Sequence, residues 1–270
     1  MNKRSDFADE WFNEDNNEIY QEKIEYLKND LILKWIKVNQ NEMKYHEGDY
    51  VTLSFESMSD AKQRNYISSV LVEILDKLCK DILLNKILVV GLGNEDIISD
   101  SVGPKTVSQI LVSAHLFELE KDVHPGLNNC AAIAPKVMGQ TGLESAMIVK
   151  GIVDFYKPQC VLVIDALSSR SFSRINRAIQ ISNIGIIPGS GVGNYRKAIN
   201  EETLNIPVIS LGIATVTSIR SILDELNIDT PYENNDSIIT PRNMDLECKQ
   251  IVSILSHAIN CFIHPAYEEL

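Results

Sequence analysis

The chain has 270 residues, 44% of them hydrophobic, enough to bury one substantial core and too few for several. Its 37 acidic residues against 25 basic ones give a formal charge of -12, which argues against a protein that grips nucleic-acid phosphates over a broad face. No apolar run reaches the roughly 20 residues that cross a bilayer, and the charged start "MNKRSDFADEW" has no apolar signal core, so the expected compartment is the cytoplasm.

In chain order, the first 45 residues are polar, with a helical period only over 18–40, and read as an appendage to the core of a single domain spanning 1–270. "DYVTLSFES" alternates like a strand. Residues 59–83 follow with helical spacing and a capping serine, Ser59, and "KILVVGLG" is an apolar run suited to a buried strand. "GPKTVSQILVSAHLFELE" reads as one helix with Pro104 in its first turn, "NNCAAIA" as a strand and "LESAMIVKGIVDFY" as a helix. "QCVLVIDAL", "AIQISNIGI" and "PVISLGI" then read as strands and "VTSIRSILDEL" as a helix. This alternation predicts an α/β fold, a three-layer sandwich with a largely parallel central sheet and a site beyond the carboxyl ends of its strands.

Of the chemistry-bearing stretches, "GLGNED" puts Asp96 where a dinucleotide fingerprint needs its third glycine, and no GxxxxGK[ST] loop is present. Two carboxylates stand out instead: Asp100, just after a strand and before a helix, and Asp165, closing the apolar run "CVLVID". On neighbouring strands they would face one another and share a proton, as a general acid and base pair does. Taken singly, Asp100 also fits a helix cap and Asp165 a carboxylate that satisfies loop amides. The five histidines form no short ligand motif, the serines 168, 169, 171 and 173 lack a GxSxG elbow, and the five cysteines are scattered without a CxxC pair. The loop "IPGSGVGNYRK" with Gly191 and Asn194 offers amide donors to a substrate or is simply a turn with positive φ; Arg170 and Arg174 suit acidic residues of a substrate or a structural ion pair.

Together "VVGLGN", "APKVMGQTGLES", "VLVIDALSSRS", "PGSGVGN" and "PVISLGIATV", with "IITPRNMD" and "NCFIHPA" near the end, resemble the germination proteases of spore-forming bacteria. The resemblance runs from about residue 85 to 220 and implies a fold like that of the hydrogenase-maturation proteases. It also implies an atypical aspartic endopeptidase in which Asp100 and Asp165 match the two essential aspartates, with no metal or cofactor. The implied substrates are small acid-soluble spore proteins, met in the forespore or spore core, by a homo-oligomer that family resemblance makes a tetramer, with no direct nucleic-acid or membrane partner. "RSDFADE" resembles the substrates' cleavage site and implies self-processing between Asp6 and Phe7, leaving residues 1–6 as a propeptide and 7–45 as the polar appendage. Two departures stand: the chain lacks sequence around 226–236, and Lys136 replaces the family's usual glycine, where it crowds a turn of positive φ or brings a cation to the carboxylates. A metal-dependent maturation protease of the related fold and a silent relative that binds spore proteins uncut are the alternatives.

Overall fold

Runs of β-branched and aliphatic residues meet side by side in one nine-stranded sheet. The computed structural model describes residues 5–11, 19–40, 46–119, 123–190, 196–228 and 237–269. The strands are β1 Tyr20–Tyr26, β2 Ile32–Val38, β3 Gly48–Ser54, β4 Lys86–Gly91, β5 Asn129–Ile133, β6 Cys160–Ser168, β7 Ala178–Ser182, β8 Val208–Ser218 and β9 Ile238–Ile239. Their spatial order is β1-β2-β3-β7-β8-β6-β4-β5, with β9 beside β8. Neighbours among β5, β4, β6 and β8 are parallel, whereas β7 and β1 to β3 pair antiparallel. The parallel half carries Asp165.

The helices are α1 Ala61–Leu78, α2 Val102–Val107, α3 Ala114–Leu119, α4 Met138–Thr141, α5 Ser145–Tyr156, α6 Glu201–Leu204, α7 Ile219–Glu225 and α8 Met244–Ile263. Alternation along β4 divides its side chains between two cores. Ile87 and Val89 pack beneath α1, α2 and α8, and Leu88 and Val90 beneath α5 and α6, which makes the three layers. No helix among the described residues is long and apolar enough to cross a membrane.

The structure corrects three local expectations. Residues 20–38 form a β-hairpin rather than a helix, because Asn29 and Asp30 both take positive φ and turn the chain back, and Leu33, Ile36 and Val38 find buried places against β3 and its surroundings. The helix expected over 103–120 is two short ones, α2 and α3. Asn260 of α8 breaks it by donating to the Gln109 carbonyl and accepting from Leu111 N–H, so a tertiary contact supplies the bonds that a continuous helix would have made. The cap of α1 is Asp60, whose carboxylate accepts from Gln63 N–H, and not Ser59.

Candidate active site

The glycines of "GLGN" serve close approach. A Cβ on Gly103 would lie 2.2 Å from the Leu92 carbonyl oxygen and 2.7 Å from that of Ile164, and one on Gly91 would lie 2.2 Å from the Gly103 oxygen. With hydrogen at those positions the start of α2 rests directly on β4 and β6. Gly93, at φ +114°, brings its backbone against Asp100, which ends a 3-10 turn over Ile98–Asp100. Asp100 therefore arrives at the carboxyl end of β4, and Asp165 stands in the next strand, β6, in register with Gly212 of β8.

Both carboxyls line one cavity of about 260 Å³, with Leu92, Ser168, Gly189, Arg196 and Asp6 among its walls. Asp165 is only 6% exposed, and its Oδ1 accepts from Ala166 N–H at 2.9 Å. Burial pushes its carboxyl well above the ordinary carboxylate range, and the charges of Asp100 and Asp6 push the same way, against the Ala166 amide. Burial raises Asp100 too, opposed by the Asn94 N–H, which donates to Oδ2 at 2.9 Å, and by the Arg196 guanidinium. Two carboxyls that both resist ionisation in one cleft are equipped to hold a single proton between them. Asp96 stands apart from the cavity lining: it is exposed, and Gln140 of the "MGQTG" stretch donates to both its carboxylate and Asn94.

The remaining sequence candidates divide. Arg170 and Arg174 both hold the amino-terminal segment. Arg174 Nη1 reaches Asp9 at 3.0 Å and Glu10 at 2.9 Å, and its guanidinium sits 4.3 Å from the centre of the Phe7 ring. Arg170 stacks at 3.8 Å on Trp11 and donates to the Glu10 carbonyl. Gly191 and Asn194 lie outside the described residues. Asp6 and Phe7 are not at a loose end: Phe7 is fully buried, and Asp6 reaches into the cavity. Lys136 does take the positive φ, 64°, that a glycine would favour, and its ammonium lies 3.4 Å from Glu95. Among the described residues, no histidine joins the two aspartates in a ligand cluster; the one grouping of three metal-capable side chains is His257, Cys261 and Glu268, at the far end of α8. His264 is buried, its Nδ1 accepting from Asn128 N–H and its Nε2 donating to the Leu111 carbonyl.

Sequence reasoning missed Gln180 and Ser190, which bind the amino-terminal segment. The signal for Gln180 was a lone amide inside the apolar strand "AIQIS".

A family model described as germination protease matches residues 3–232. Germination proteases are also among the relatives found: that of Clostridium tetani is 35% identical over 82% of this chain and 80% of its own length. Those of Clostridium acetobutylicum and Bacillus subtilis are 33% and 40% identical, over 85% and 66% of this chain and 82% and 50% of theirs. Among solved structures, a [NiFe] hydrogenase maturation protease from Thermococcus kodakarensis overlays with a TM-score of 0.40 at 13% identity, covering 69% of this chain and 98% of that one. On the family match, which takes in both aspartates and the amino-terminal segment, the chain belongs to the germination protease family of peptidases.

Proposed function

We propose that the chain is an aspartic-type endopeptidase, made as a zymogen, with Asp100 and Asp165 as its catalytic pair. The observation that supports this reading is that the chain's own Asp6 lines the same cavity as both carboxyls, close enough for its charge to raise Asp165. Asp165, fully buried and raised further, holds the proton; Asp100, favoured in its charged form by Asn94 and Arg196, is the base. Asp100 takes a proton from water as the water oxygen bonds to the scissile carbonyl carbon, and Asp165 gives its proton to the amide nitrogen as the C–N bond breaks. The net change is the addition of one water.

By kinship the substrates are small acid-soluble spore proteins, degraded at germination in the spore core, and the working form is a homo-oligomer, which sedimentation would measure. The acid, aromatic, alanine, acid order of "DFAD" supports a substrate-like propeptide. The test is mass spectrometry of wild-type and Asp100→Asn protein at mildly acidic pH, with and without such a spore protein. Loss of residues 1–6 and substrate fragments ending in an acid are expected in wild type alone. Fragments that persist in the variant, or vanish from wild type when a chelator is added, would overturn the mechanism.

A further inference from the structure

The amino-terminal segment is held as a ligand is held, by contacts that run residue by residue into the body. We infer that these contacts are the subsites by which the enzyme reads a peptide substrate, with Gln180 straddling the scissile bond and Arg174, Ser169 and the Arg170 amide reading an acid four residues beyond it. The inference rests on the proposed function for the identity of the scissile bond, and on the contacts below for everything else.

On the acidic side, Asp6 extends β6: its N–H donates to the Ser168 carbonyl at 3.0 Å, and Ser168 N–H donates back to Asp6 Oδ2 at 2.9 Å. The Ser190 hydroxyl donates to Oδ1 at 2.6 Å, so both carboxylate oxygens have a donor. Across the bond, one side chain serves both flanks. Gln180 Nε2 donates to the Asp6 carbonyl at 2.9 Å, and Gln180 Oε1 accepts from Ala8 N–H at 2.7 Å. A side-chain amide offers donor and acceptor side by side, and its donor faces the oxygen on which charge develops as the bond is attacked.

The next two positions are read by shape. Phe7 fills a pocket of Leu167, Ala178, Ala214 and Ile186 beneath the Arg174 guanidinium, and Ala8 is fully buried against Tyr20, Ile36, Val38 and Tyr50. The chain then takes a single 3-10 turn, Ala8–Glu10, that swings Glu10 into a second anion site. Its Oε1 accepts from Arg174 Nη1 at 2.9 Å and Ser169 Oγ at 2.5 Å, and its Oε2 from Arg170 N–H at 2.8 Å and from Ser5 Oγ. The order of acid, aromatic and alanine is the one the family resemblance already implies; what the contacts add is which side chains of this protein read it, and that Glu10 is read as well.

Two measurements on the full chain test this, the first independent of catalysis. In an Asp165→Asn protein, which keeps the segment attached, hydrogen exchange at residues 7–11 is slow, and adding Glu10→Gln or Arg174→Gln speeds it about 10-fold or more by removing a charge-assisted bond. Glu10→Gln leaves the body of the protein untouched, so unchanged exchange in both variants overturns the inference. The second measurement is turnover of two peptides by wild type, one with glutamate and one with glutamine at the fourth position after the cut. A preference for glutamate that collapses toward unity in Arg174→Gln is expected, and a preference that survives there overturns the inference. Gln180→Ala lowers kcat by about 100-fold with a smaller change in KM, the signature of a donor that acts on the transition state; a change in KM alone overturns its role. If wild type cuts neither peptide, the proposed function fails while the exchange result still decides whether the segment reads these subsites.

Discussion

At the scale of single residues, the buried carboxyl of Asp165 costs stability, as the proposed catalytic role would lead one to expect. Its pKa is higher folded than unfolded, so its contribution is most favourable below the ordinary aspartate range and is lost as pH rises through the raised value. Asp165→Asn should therefore melt higher than wild type at pH 7, and the gap should close as the pH falls below about 4, where both states hold the proton. Thermal melts across that range decide it; a constant gap contradicts the raised pKa. Lys136 gives a second prediction. A non-glycine residue at positive φ costs about 1 kcal/mol, while its exposed pair with Glu95 returns a fraction of that. Lys136→Gly should then raise the melting temperature by about 2–4 °C, read by calorimetry. The two aspartates were legible in the sequence because Asp165 closes the apolar run "CVLVID" and Asp100 lies between an apolar strand and the helix that follows it. Gln180 was not, since nothing in a strand pattern says which polar residue meets a segment 174 positions away.

At the scale of elements, the strands β4, β6 and β8 are legible as unbroken apolar runs, and the faces of α1 and α5 as helical periods. The failures share one cause, which is that neighbours decide. The β1–β2 hairpin carries charges on its open face, so its lysines and glutamates mimic the polar side of a helix, and only the Asn29–Asp30 turn betrays it. The break between α2 and α3 needs Asn260, far off in sequence. The contact of α2 with β4 and β6 is the most demanding of these arrangements. Gly103→Ala places a Cβ 2.2 Å from the Leu92 carbonyl oxygen, so α2 must back away and carry the preceding Asp100 with it. We expect a cost of about 1–3 kcal/mol in stability and a fall in peptide turnover of about 100-fold or more, since misplacing a reacting group by an ångström is enough for that. Turnover measured beside denaturant melts separates the two effects.

At the scale of the whole molecule, the amino-terminal segment joins three parts of the chain: Asp6 lines the cavity of the two carboxyls, Gln180 of β7 bonds to Ala8, and β1 to β3 wall Ala8 in. Activity should follow the shared proton. It should hold through mildly acidic pH and decline as pH rises through the raised pKa of Asp165, and a pH profile of kcat/KM in fixed salt measures it. A rate that climbs with pH across that range contradicts the assignment. Severing Asp6 from Phe7 releases only one side of the cleft, because Phe7 through Trp11 stay leashed by the chain to β1, at an effective concentration that a free peptide must match. On the proposed self-processing, a newly cut molecule would be its own competitive inhibitor, and its first turnovers would wait on the leash letting go: progress curves should show a lag that Glu10→Gln shortens.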